Sequence, residues 1–136
     1  MIMQGGAGSD KGARTTRQRR GAQSHHAGHA AEELVARHYE RIGCTVAARR
    51  WRKGGSEIDL ILRQGAMVIF VEVKHSRSRD SAVSRISETQ MQRMMLSAAR
   101  FLEGEPKGSL TDCRIDVALV DGTGHVEVLE NAYGQG

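Results

Sequence analysis

The chain holds two cysteines, one proline and one tryptophan in 136 residues. Cys44 and Cys113 lie far apart and form no C-x-x-C pair, which excludes a thiol zinc framework and a disulfide scaffold. Two isolated thiols fit a reducing compartment, each as a small core residue. No apolar run reaches the length of a membrane span, and the polar N-terminus does not resemble a signal peptide. A cytoplasmic protein without membrane contact is therefore expected. Internal repeats are absent.

Excess charge is also absent from most of the chain. The formal net charge is +4, yet residues 1–27 carry Lys11, Arg14, Arg17, Arg19 and Arg20 against Asp10 alone. Residues 28–136 therefore balance. The first 27 residues are rich in Gly, Ala, Ser, Gln and Arg with no apolar period, the composition of a disordered tail. A flexible basic arm contacts phosphates without sequence preference; a solubilising leader explains the composition equally well. The folded domain is expected over residues 28–136, and a domain of this size buries roughly 60–70% of its unfolded surface.

From Gly28 the pattern turns helical: Ala31, Leu34, Val35, His38 and Ile42 share a face, and Gly43 sits where a helix C-cap belongs. Glu32 and Glu33 fall in the first turn of that helix, where its dipole favours negative charge. Cys44 to Ala48 reads as a short strand. A second helix starts at Ser87, whose S-x-x-Q spacing to Gln90 fits a capping box. Its stripe Met91, Met94, Met95, Ala98 and Leu102 reads as core. Arg114 to Val120 and His125 to Leu129 are strands around an Asp121–Gly124 turn. Asp116 is the odd residue in its strand; structural pairing with an arginine is the favoured reading, lining the site the other. The order α-β-β-β-α-β-β specifies an α/β domain, a mixed sheet of about five strands flanked by helices.

The informative stretch is Glu57 to Lys74, E-I-D-L-I-L-R-Q-G-A-M-V-I-F-V-E-V-K. Two β-branched runs flank a polar turn, Arg63-Gln64-Gly65-Ala66, and predict a hairpin. Side chains alternate along strands, so Glu57 and Asp59 share a face, as do Glu72 and Lys74. Pairing Leu62 with Met67 sets Asp59 against Phe70 and Glu57 against Glu72. The other register sets Asp59 directly against Glu72. Both gather three carboxylates and one ammonium.

Crowded, partly buried carboxylates repel unless a cation compensates, and hard oxygen ligands suit Mg²⁺ or Mn²⁺. Lys74 then lies beside any water such a cation holds. This set fits metal-assisted hydrolysis of a phosphodiester. Ion pairs on a solvated sheet face explain a lone E-x-K. They do not require a second strand with its own acids on the matching face.

Two basic patches flank the hairpin. Arg49, Arg50, Trp51, Arg52 and Lys53 read as a loop able to pair with phosphates and stack on a base. Trp51 packed on the domain edge among solvated cations is the competing reading. His75, Arg77 and Arg79 follow Lys74, where substrate phosphates would pass.

Taken together, Gly28 and Ala31-Glu32, then Gly55-Ser56-Glu57-Ile58-Asp59-Leu60-Ile61, then Phe70-Val71-Glu72-Val73-Lys74, resemble the YraN family of bacterial proteins, also called UPF0102. Arg114-Ile115-Asp116-Val117 and Asn131-Ala132-Tyr133 extend the resemblance over nearly the whole folded part. Its members are described as predicted endonucleases with the restriction-endonuclease-like, or PD-(D/E)xK, fold. The resemblance implies that Asp59, Glu72 and the backbone carbonyl of Val73 hold Mg²⁺ or Mn²⁺. It implies that Lys74 acts on the nucleophilic water, that Glu32 is a further catalytic acid, and that Glu57 is another acid of the site. Ala31 stands for a glycine of the family pattern, and Ser56 is either an insertion before Glu57 or the mark of a shift in the preceding loop. Thr89-Gln90 stands where many members have a lysine.

The expected function is a metal-dependent nuclease, with DNA, including structured DNA, as the favoured substrate. The alternative is a non-catalytic nucleic-acid-binding module on the same fold. Retained acids facing phosphates argue for the nuclease.

Overall fold

The computed structural model describes residues 16–75 and 87–132, with side chains described from Gly28 onward. Arg77, Arg79 and Tyr133, and residues 1–15 of the expected tail, lie outside the described residues.

Helix α1 runs Thr16–Arg41, strand β1 Thr45–Trp51, β2 Ile58–Gln64 and β3 Met67–His75. Helix α2 runs Glu88–Leu102, and a short 3-10 turn at Gly108–Leu110 leads into β4, Cys113–Val120, and β5, Val126–Leu129. The five strands form one sheet in chain order. All neighbours are antiparallel except β3 and β4, which are parallel and joined through α2. This is the mixed α/β sheet expected from the element order.

Helix α1 starts twelve residues before the expected start at Gly28, so residues 16–27 are helical rather than a structureless tail. Adding residues to an existing helix is cheap compared with nucleating one, and this stretch is rich in Arg, Gln and Ala. At its other end Gly43 takes φ +96°, and the Cys44 N–H bonds back to the Tyr39 carbonyl. The exposed Ile42 is not part of the helix's core face; Tyr39 is, fully buried.

One core lies between α1 and the sheet, where Ala31, Val35, Ala36 and Tyr39 meet Leu60, Leu62, Ile69, Val71, Ala118 and Val120. The other lies between the opposite sheet face and α2, where Met94, Ala98 and Leu102 meet Ile58, Ile61, Val68 and Phe70. Met95 does not join this core; it is half exposed, at 49%. Ser87 caps α2 by accepting the Gln90 N–H.

Asp116 pairs with Arg114, as expected. It is fully buried on the α1 side and accepts from Arg114 Nε at 3.0 Å, Tyr39 Oη at 2.7 Å and the Asn131 N–H at 2.9 Å. Burial, that hydrogen bond and the Asp116 charge all push the Tyr39 hydroxyl pKa up, so it stays a donor.

Candidate metal centre

The centre sits where β2 begins and β3 ends, side by side in the hairpin. The strands run on to Gln64 and Met67, which pair, leaving a two-residue turn at Gly65-Ala66 with Gly65 at φ +60°. Gly65 takes this left-handed conformation without a Cβ penalty. Leu60 pairs with Val71, so the next step of the register sets Asp59 level with Glu72. The Leu62–Met67 register is thus not the one adopted. Asp59 meets Glu72 as in the other register, through a turn of two residues rather than the four expected, because Arg63 and Gln64 belong to the strand. Arg63 is held outward by a bidentate pair with Glu105.

Asp59 accepts one described hydrogen bond, from the Val73 N–H to Oδ2 at 2.8 Å. Burial pushes its pKa from 3.8 to about 7; the Glu72 charge adds to this, the Val73 N–H opposes it, and Glu32 and Glu57 raise it further. Glu72 is also shifted upward, first by burial; Lys74 and then Gln90 oppose the shift. Lys74 Nζ lies 3.2 Å from Glu72 Oε2, and Gln90 Nε2 donates to the same oxygen at 2.7 Å.

Glu32 arrives from α1. One carboxylate oxygen from each of Glu32, Glu57 and Asp59 lies within 4.8 Å of the others. Oxygens bound to one octahedral Mg²⁺ at about 2.1 Å stand about 3–4.2 Å apart, so the three carboxylates would draw inward to share an ion. The residues fit a hard divalent cation in both donor type and spacing. Glu72 lies against the same set, and its charge is felt at Asp59. The described contact of Val73 with Asp59 is through its N–H.

Of the residues expected in a basic loop, only Arg52 and Lys53 lie in one. Strand β1 runs to Trp51, so Arg49, Arg50 and Trp51 are strand residues. Arg49 bonds Glu33 at 3.1 Å, Arg50 bonds Glu32 at 2.9 Å and Arg52 bonds Glu57 at 2.8 Å. Trp51 packs edge-on against Phe101, with ring centres 5.4 Å apart, and joins the α2-side core. That is the domain-edge packing weighed against base stacking. Lys53 and His75 are exposed.

Three contributors were not singled out for this site in the sequence. Gln90 fits the capping pattern, but its side chain reaches Glu72. Ser97 is fully buried and clamps the loop before β2: its hydroxyl accepts the Ser56 N–H and donates to the Ser56 carbonyl, both at 2.9 Å. Gly54 permits that clamp, since a Cβ there would stand 2.8 Å from Ser97 Cα. Ser97 and Ser56 are 41 residues apart, so no local signal joins them.

No helix among the described residues is long and apolar enough to cross a membrane.

Comparison with known proteins bears on this geometry. Residues 31–120 match the model of a family described as "Uncharacterised protein family UPF0102". A UPF0102 protein of Cereibacter sphaeroides (strain KD131) is 58% identical over 113 residues, covering 83% of this chain and 97% of the relative. One from Ruegeria sp. (strain TM1040) is 56% identical over 117 residues, covering 86% and 94%. One from Ruegeria pomeroyi is 53% identical over 117 residues, covering 86% and 95%. The matched span runs from the helix bearing Glu32, through the carboxylate hairpin, to the end of the strand bearing Asp116, and the chain belongs to the UPF0102 family.

Proposed function

We propose that this chain is a divalent-metal-dependent nuclease, with DNA as the favoured substrate. One observation carries the reading. Asp59 sits among Glu72, Glu32 and Glu57, and its pKa is pushed up to about 7. The arrangement is costly to the bare protein and suited to a cation.

Asp59, Glu57 and Glu32 would hold Mg²⁺ or Mn²⁺, with Glu72 alongside. Bound there, the ion supplies a water of lowered pKa and neutralises charge on phosphate oxygens. Asp59 is oriented for this by the Val73 N–H. Gln90 and Lys74 fix Glu72 from one side by sharing its Oε2. The Lys74 ammonium, only 19% exposed, would orient the attacking water and stabilise negative charge on the phosphate.

The second reading, a non-catalytic nucleic-acid-binding module, draws on a different observation. Glu32, Glu57 and Glu72 each have a cation partner within the chain, so the charges are partly met without a metal.

Incubation with Mg²⁺ or Mn²⁺ and single-stranded, duplex and branched DNA, with RNA in parallel, separates the two. The nuclease reading expects cleavage by the wild type. It expects Asp59→Asn and Lys74→Ala each to lower the rate by about 100-fold or more. Cleavage by Asp59→Asn at the wild-type rate overturns the assignment of Asp59. Binding without metal-dependent cleavage of any substrate favours the module.

A further inference from the structure

Arg49 and Arg50 are consecutive residues of β1, yet both reach carboxylates of α1, at Glu33 and Glu32. Strict alternation forbids this, since neighbouring strand residues face opposite sides of a sheet. Two irregularities in β1 bear on it. The β1–β2 register shifts between Val46 and Ala48. Arg50 itself takes φ +48°, a left-handed conformation unusual for a residue with a Cβ. After Ala48, on the α2 side, Arg49 turns to α1. The left-handed step keeps Arg50 on that side and returns Trp51 to the α2-side core. The strand departs from its regular geometry at the residue whose guanidinium meets Glu32.

The pairing has a consequence for the metal centre. Glu32 and Glu57, two of the three carboxylates within 4.8 Å of one another, are the partners of Arg50 and Arg52. Arg50 and Glu32 are mostly shielded, at 24% and 13% exposed, so their attraction is less screened than that of a surface pair. A guanidinium paired with a carboxylate offsets the negative charge a metal ion would draw on, so the two compete for it. Resting on the nuclease reading of the site, we propose that Arg50 and Arg52 are internal counter-ions of the acidic cluster. They are released to nucleic-acid phosphates when a divalent cation takes Glu32 and Glu57. Metal and nucleic acid then bind with positive coupling. The ion displaces the arginines from the acids, and phosphates, which bind guanidinium bidentately, give the arginines a second partner. By linkage each ligand tightens the other by the same factor.

Mn²⁺ is titrated calorimetrically, without nucleic acid, into the wild type and into Arg50→Gln/Arg52→Gln. The affinity of each protein for a short DNA duplex is then measured without and with saturating Ca²⁺. The double variant should bind Mn²⁺ about five- to tenfold more tightly, because the internal competitor is gone. Ca²⁺ should raise duplex affinity about fivefold or more in the wild type and less than about twofold in the double variant. Arg50→Lys, which keeps the cation, should bind Mn²⁺ close to the wild-type affinity. Arg49→Gln, which loses a tie to α1 at a glutamate outside the cluster, should do the same. These two separate competition from loss of structure. Equal or weaker Mn²⁺ binding by the double variant, or an unchanged Ca²⁺ effect on its duplex affinity, overturns the proposal and leaves the metal centre standing. Absence of Mn²⁺ binding to the wild type overturns the metal centre itself.

Discussion

Asp116 on β4 and Asp59 on β2 lie in one sheet, two strands apart, and are solvated in opposite ways. Asp116 is fully buried but surrounded by donors: a guanidinium, a phenol and a backbone N–H. Asp59 is less deeply buried, accepts one described backbone N–H, and has Glu72, Glu32 and Glu57 for company. Depth of burial therefore does not account for the difference between the two carboxylates. The balance of donors and positive charge against negative charge does.

The largest expected effect comes from breaking the satisfied centre. Asp116→Ala leaves the buried Tyr39 hydroxyl, the Asn131 N–H and the partly shielded Arg114 without their shared acceptor and should cost about 3–5 kcal/mol in urea unfolding. Asp59→Asn, measured without divalent ions, should cost nothing or stabilise, because it removes repulsion. A comparable loss from both variants would break the contrast.

Next is the loop that carries Glu57 toward Asp59. Gly54→Ala places a Cβ 2.8 Å from the Ser97 Cα and from the Trp51 ring, and should cost about 1–3 kcal/mol. Gly28→Ala, in a helix with nothing within 4 Å of the new Cβ, should stabilise by up to about 1 kcal/mol. Thermal melts of the two variants give the comparison directly.

The pH dependence has a defined sign. Folded Asp59 keeps its proton up to about pH 7, whereas the unfolded group loses it near 3.8. Between these values the folded state binds more protons, so rising pH weakens the metal-free fold by this term. The loss levels off above the folded pKa. Its size is on the order of 1–2 kcal/mol once solvent screening is allowed for. Chemical unfolding from pH 4 to 8 should show the decline in the wild type. The slope should be reduced in Asp59→Asn and in wild type saturated with Mg²⁺. A slope identical in Asp59→Asn would remove Asp59 as its source.

Smallest in stability is Gln90→Ala, expected to change unfolding by less than about 1 kcal/mol. Its larger effect should be on metal affinity, weaker by about 10-fold, because Glu72 loses one of the two groups that orient it. Unchanged affinity would make Gln90 a bystander.

The carboxylate hairpin was legible because period-two alternation leaves few places for Glu57, Asp59, Glu72 and Lys74 to go. The choice between its two registers was not, since Arg63 and Gln64 look like turn residues. The structure keeps them in the strand, with Arg63 held by Glu105, a partner 42 residues away. A structural Asp116 paired with an arginine was legible from one acid in an apolar strand; the structure identifies the arginine as Arg114, two residues before it. The destinations of Arg49 and Arg50 were hidden for the opposite reason. Alternation, the rule that exposed the hairpin, fails at the Val46–Ala48 register shift and again at the left-handed Arg50. Gln90 and Ser97 act across 18 and 41 residues, and nothing local to either announces its partner.

Calorimetric titration of Mn²⁺ into the wild type and into Asp59→Asn/Glu72→Gln, alone and with duplex or branched DNA, tests the central claim most directly. The account predicts that the wild type binds the ion and the double variant does not. If neither protein takes up Mn²⁺, with or without DNA, the crowded carboxylates are structural after all, and the claimed contrast with Asp116 fails.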